Sequence, residues 1–224
     1  MVRYYEVVPI IVFTDGAATG NPGPGGWGAI VVTDDRQVTE LGGGSPHTTN
    51  NKMELSGVIA ALQHIANQPG PVAIYTDSTY VIQGITQWVW GWRKRGWKTA
   101  QGGDVLNRDL WEQLSSLVFA RGRGDVAWHW VRGHVGTPGN ERADQISVAF
   151  ARQQSADLYD GPLDGYALPI LQLPDETALP KRPANLAWCD PDARALAITA
   201  VDSVYRVRLK VAGIMPPFLP RAAS

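Results

Sequence analysis

The chain has 224 residues, 44% hydrophobic and 18% charged, with a net charge of −1. This composition describes a globular protein with one sizeable core and room for a smaller appendage, and no global field to attract nucleic acid. The one cysteine, Cys189, excludes an internal disulfide, no Cys/His cluster suggests zinc, and no apolar stretch nears the roughly 20 residues that span a bilayer. The N-terminal run lacks a basic n-region followed by a signal-peptide core, so a cytoplasmic protein with no membrane partner is expected.

The predicted elements begin with a buried strand at Val7–Phe13, a second at Trp27–Thr33 and a weaker third around Val38–Leu41. The Gly/Pro/Asn/Asp-rich turns between them favour antiparallel pairing. In residues 51–65, Leu55, Val58, Ile59, Leu62 and Ile65 recur at three and four, which is helical spacing, and Pro69-Gly70-Pro71 stops the helix. Val72–Tyr75 reads as a strand, with helical patterns following through Tyr80–Ile85, Trp88–Trp92 and Leu106–Phe119. Asp125–Val131 alternates as a strand, and residues 140–151 close the unit as a helix. The expected fold class is α/β: a five-stranded mixed sheet, three antiparallel strands then two parallel, flanked by helices, with a small C-terminal appendage.

Composition then changes. Nine of the sixteen prolines lie in residues 153–224, and periodicity vanishes until Leu186. The expected division is residues 1–152 as one domain, 153–184 as a proline-rich, mostly extended linker, and 185–224 as a small module. Cys189 in that module reads as a small buried hydrophobe.

Four carboxylates stand out by context. Asp15 and Asp77 follow apolar runs at strand ends, where sites of open sheets gather. Glu54 sits in the first turn of the long helix and Asp144 near the start of the last. Each alone has a plain structural explanation, as a turn residue or as an acid favoured at a helix N-terminus, and spacing does not show that the four converge. Charge is local too: Arg93, Lys94, Arg95 and Lys98 fall within one stretch without an acid, and Arg121, Arg123 and Arg132 follow.

Thr14-Asp15-Gly16-Ala17-Ala18-Thr19-Gly20-Asn21-Pro22-Gly23-Pro24-Gly25-Gly26-Trp27-Gly28, Thr48-Thr49-Asn50-Asn51-Lys52-Met53-Glu54-Leu55, Tyr75-Thr76-Asp77-Ser78 and Val131-Arg132-Gly133-His134 through Gly139-Asn140-Glu141-Arg142-Ala143-Asp144 together resemble bacterial type 1 ribonuclease H. The resemblance covers about residues 5–151. It implies a ribonuclease H-like fold and an endonuclease that cuts the RNA strand of RNA–DNA hybrids, leaving 5′-phosphate and 3′-hydroxyl ends with little regard to sequence. It further implies that Asp15, Glu54, Asp77 and Asp144 hold two Mg2+ ions, with Mn2+ as a substitute, and that His134 serves proton transfer or product release. By the same resemblance Gly16, Asn50, Glu54, Ser78 and Thr79 meet the RNA strand, and Asn21, Thr49 and Asn51 the DNA strand or its phosphate. The family often has Gln where Thr79 stands. Gln87–Thr99 resembles the family's basic protrusion, which implies substrate contacts from Trp88, Trp92, Arg93, Lys94, Arg95 and Lys98.

Residues 153–224 lie outside the resemblance. Their near balance of charge argues against a simple nucleic-acid tether and leaves docking on the core or an unidentified partner. The chain is otherwise expected to be a monomer. A non-catalytic hybrid-binding module would be expected to lack one of the four acids. The glycine-rich Asn21–Gly26 is not followed by Gly-Lys-Ser/Thr, so there is no phosphate-binding P-loop.

Overall fold

A computed structural model describes residues 9–122, 124–133 and 136–173, together with the backbone of three strands at 183–188, 195–200 and 204–208. The chain divides into two units, Met1–Leu173 and Pro174–Ser224.

The first unit opens with three strands, β1 (Ile10–Ala18), β2 (Gly23–Val32) and β3 (Gln37–Thr48), paired antiparallel. Helix α1 (Asn50–His64) leads to β4 (Val72–Thr76), which returns parallel to β1. Helix α2 (Thr79–Gln83), a π-helical turn (Gly84–Trp88) and α3 (Val89–Lys94) follow without a break, then α4 (Arg108–Arg121) and β5 (Val126–Trp130), parallel to β4. Helix α5 (Pro138–Ala151) precedes a short strand, β6 (Asp160–Pro162). The sheet order is β5-β4-β1-β2-β3-β6. The mixed sheet of three antiparallel and two parallel strands is as expected, with a sixth strand at the β3 edge.

β1 reads as an unbroken apolar run because both of its faces are covered. Ile10 and Val12 join a core formed with Leu55, Val58 and Leu62 of α1 and Trp111 and Leu114 of α4. Ile11 and Phe13 point the other way, into a second core with Ile146 of α5 and Ile170. Gly28 permits the tight seating of α5, since a Cβ there would lie 2.4 Å from the carbonyl oxygen of Ala143.

The sixth strand comes from the stretch expected to be a linker. Residues 160–162 pair with β3, Ile170 is buried, and the first unit runs to Leu173 rather than ending near residue 152. The aperiodic pattern concealed this because the strand has three residues and its hold on the core comes from isolated apolar and polar anchors. In the second unit, β7 (Pro183–Trp188), β8 (Ala195–Ala200) and β9 (Val204–Arg208) form an antiparallel sheet in that order. Cys189 lies outside the described residues.

Trp111 is fully buried, donates its indole N–H to the Tyr80 hydroxyl at 3.1 Å and meets Tyr80 and Trp92 edge-on. Trp111→Ala is expected to cost about 3–5 kcal/mol of stability in urea unfolding. A cost under about 1 kcal/mol would show that this aromatic cluster does not hold α4 to the helices beside it.

Candidate active site

β1 outruns β4 and continues to Ala18 along β2, so Asp15 lies within its strand rather than at its end. The parallel register pairs Phe13 with Tyr75, which puts Asp15 and Asp77, each two residues further on, at the same end of the two strands. Glu54 arrives from the opposite layer. A Cβ on Gly16 would lie 2.2 Å from the backbone N of Glu54, so the bare glycine allows α1 to touch β1 at this point. One carboxylate oxygen from each of Asp15, Glu54 and Asp77 lies within 4.8 Å of the others.

Thr49 caps α1 and the helix starts at Asn50, so Glu54 stands in its second turn, not its first. Asp144 is likewise one turn further along α5, which starts at Pro138. Neither acid is a helix N-terminal charge, and that structural explanation falls away. Asp144 is not part of the close trio, yet its charge acts on Asp15.

The trio is crowded, with Asp15 and Glu54 buried and Asp77 half-buried. Asp15 and Glu54 are 7% and 8% exposed. Burial, then the charges of Asp77 and Asp144, push the Asp15 carboxyl up to about 7, against the pull of the Gly16 amide and the Ser147 hydroxyl. Burial and the charges of Asp15 and Asp77 raise Glu54 well above the carboxylate range, with Ser78 and Asn50 opposing. The Asn50 amide donates to Glu54 Oε1 at 3.1 Å, while the buried Oε2 has no hydrogen-bond partner among the described residues. A buried carboxylate oxygen without a donor, beside two more carboxylates, fits a hard divalent cation, which takes oxygen ligands and offsets their mutual repulsion. Asp15, Glu54 and Asp77 are thus a candidate metal-binding cluster.

Three supporting side chains went unread in the sequence. Ser147 donates to Asp15 Oδ2 at 3.1 Å and to the Asp144 carbonyl at 2.9 Å. Asn140 donates to Asp77 Oδ2 at 3.4 Å, and the Trp130 indole to the Asp77 carbonyl at 3.1 Å. Asn140, Asp144 and Ser147 are spaced at four and three, and this polar stripe along one face of α5 was the available signal.

The other expected site residues are divided. Asn21, Asn50, Asn51 and Thr79 are exposed near motif ends, and Gly16 is buried against α1. Thr49 and Ser78 cap their helices, the hydroxyls accepting from Lys52 N and Val81 N. Trp88 and Trp92 pack against each other at a tilt and turn into the cluster of Tyr80 and Trp111, so they build the platform under the basic segment. Trp90, not singled out from the sequence, is the exposed indole at 42%, with the Arg93 guanidinium over its ring. Arg93, Lys94 and Arg95 are exposed, whereas Lys98 pairs with Asp104 at 2.6 Å. Arg121 donates to the carbonyls of Ile65, Gln68 and Gly70 and so braces the end of α1. His134 and Arg123 lie outside the described residues.

The raised Asp15 fixes a pH dependence. Folded chains hold a proton there that unfolded chains release above about pH 4. Stability from this group is therefore full below that pH and is lost as pH rises through about 7. Glu40, lowered by Arg142 and Tyr166, acts in the opposite sense only below its ordinary range. In EDTA the melting temperature should fall by roughly 5–10 °C from pH 5 to pH 8, and Asp15→Asn should flatten that fall. A flat wild-type profile would contradict the crowding.

The RNase H family model matches residues 8–152. Ribonuclease H of a Cyanothece species is 52% identical over 149 residues, 66% of this chain and 92% of that protein. Ribonuclease HI of Caulobacter vibrioides is 51% identical over 144 residues, covering 64% of this chain and 93% of its own length. Among solved structures, LC9-RNase H1, described as a type 1 RNase H with the type 2 active-site motif, is similar with a TM-score of 0.59 at 32% identity, over 72% of this chain and 82% of that one. Likeness of this extent runs through the same residues that build the acidic cluster, and the chain belongs to the ribonuclease H family.

Proposed function

We propose that this chain is an endonuclease that hydrolyses the RNA strand of RNA–DNA hybrids with Mg2+, leaving 5′-phosphate and 3′-hydroxyl ends. The observation that carries the reading is the convergence of Asp15, Glu54 and Asp77 from three separate elements to within 4.8 Å. Asp144 completes the set from α5. These acids would hold two ions, with Mn2+ as a substitute. When bound, the ions supply a water of lowered pKa and neutralise charge on the phosphate.

The chain's own groups do the rest. Asn50 orients Glu54, Ser147 orients Asp15, and Asn140 orients Asp77. The exposed residues Asn21, Asn51 and Thr79 are available to the two strands of a duplex, with hydroxyls of the RNA as the feature that separates it from DNA. Arg93, Lys94 and Arg95 on α3 and the turn after it would grip phosphates, which positions a duplex without reading its sequence. His134, four residues before Pro138 in the sequence, would move a proton at the leaving or attacking oxygen.

A labelled RNA–DNA hybrid should be cut in Mg2+ and spared in EDTA, while single-stranded RNA, duplex RNA and duplex DNA survive. Binding of the hybrid without cleavage in either Mg2+ or Mn2+ would replace the nuclease with a binding module. Asp77→Asn keeps the shape of the side chain but removes its charge, and should lower kcat by at least about 1000-fold with the fold retained by circular dichroism. Turnover near the wild-type rate would remove Asp77 from the metal set. The triple change Arg93→Ala, Lys94→Ala and Arg95→Ala should raise KM and flatten its dependence on salt with kcat nearly unchanged. A salt slope equal to wild type would place the duplex elsewhere.

A further inference from the structure

The family match stops at residue 152, but the compact unit continues to Leu173. The extra residues form a strap at the β3 edge: β6 pairs with β3, and Ile170 is buried in the second core. One buried carboxylate joins this strap to the helix that carries Asp144. Glu40 of β3 has a side chain only 1% exposed. It accepts from Arg142 Nε at 2.7 Å and Nη2 at 2.8 Å, from the Tyr166 hydroxyl at 2.5 Å and from the Tyr159 backbone N at 3.0 Å. Arg142 Nη2 also donates to the Asp157 carbonyl at 2.9 Å.

A buried carboxylate is costly unless donors satisfy it, and here they come from β3's neighbour in the strap and from α5 at once. The two-pronged contact of a planar guanidinium fixes direction as well as distance. Arg142 stands two residues before Asp144, about 200° away around the helix. Pinning α5 at Arg142 restrains its roll, and a roll would shift Asp144 relative to Asp15.

We propose that the Glu40–Arg142–Tyr166 clamp and the strap it holds are a positioning device for the metal centre, fixing the rotation of α5 and thereby the presentation of Asp144. Residues 157–170 then belong to the catalytic unit of this chain. The inference rests on the metal-dependent nuclease reading of the site.

The test uses the full chain, with Tyr166→Phe, Arg142→Lys and Glu40→Gln, and with Leu117→Ala on α4 as a variant weakened away from the clamp. At a temperature well below every melting point, MgCl2 alone is titrated by calorimetry. Then kcat and KM for the hybrid are measured across Mg2+ concentrations. The clamp variants should bind Mg2+ about 3–30-fold more weakly, with kcat at fixed Mg2+ falling and KM for the hybrid unchanged. Tyr166→Phe, the mildest change, should show the smallest shift, and Leu117→Ala should lose stability while binding Mg2+ as wild type does. Clamp variants with lowered melting temperatures but wild-type Mg2+ affinity and kcat would reduce the clamp to a staple and overturn the proposal. A wild-type chain that neither binds Mg2+ nor cuts the hybrid would overturn the nuclease reading itself, and the positioning role with it.

Discussion

Asp15, Glu54 and Asp77 are pressed to within 4.8 Å of one another, mostly out of water, and each repels the others. No carboxylate trio would choose this arrangement. It persists because the β1–β4 register and the glycine contact between β1 and α1 fix backbone before the charges have a say. Strong packing on both faces of the sheet offsets the electrostatic cost, and a divalent cation joining the cluster would relieve it.

The supporting groups follow from that constraint. A carboxylate that must accept a metal has to keep one oxygen free while the other is held. Asn50 holds Oε1 of Glu54 and leaves Oε2 without a donor among the described residues; Ser147 and Asn140 each reach one oxygen of an aspartate. Glu40, only a strand away, is the contrary case. There Arg142, Tyr159 and Tyr166 supply four donors, the carboxyl stays below its usual range, and the charge is spent on structure. The same side-chain chemistry serves two ends because one carboxylate is starved of donors and the other is saturated with them.

The basic segment shows how packing divides similar residues. Trp88, Trp90 and Trp92 lie in one short helical stretch, but only Trp90 faces outward, beneath Arg93. The other two pack inward, Trp88 tilted on Tyr80 and Trp92 edge-on to Trp111, and give the cations a base. Four-residue spacing correctly put Trp88 and Trp92 on one face of the helix; which face met the core depended on α4, distant in sequence.

Between residues 9 and 151, period and punctuation determined which strands and helices form, but not where they end: β1 runs on to Ala18 and β3 to Thr48. An apolar run such as Ile10–Phe13 buried on two sides, and leucines at three and four in α1, admit one type of element each. Four motifs with their spacing also singled out four acids, three of which the structure brings together. Tertiary structure decided what those signals do not encode. Convergence of Asp15, Glu54 and Asp77 depends on strand register and on a close approach between layers, and the strap depends on donors from positions 142, 159 and 166 meeting one buried acid at position 40. Local periodicity reports which face of an element is apolar; contacts across more than a hundred residues leave no period, because each rests on one or two hydrogen bonds from groups that look, in sequence, like ordinary surface polar groups.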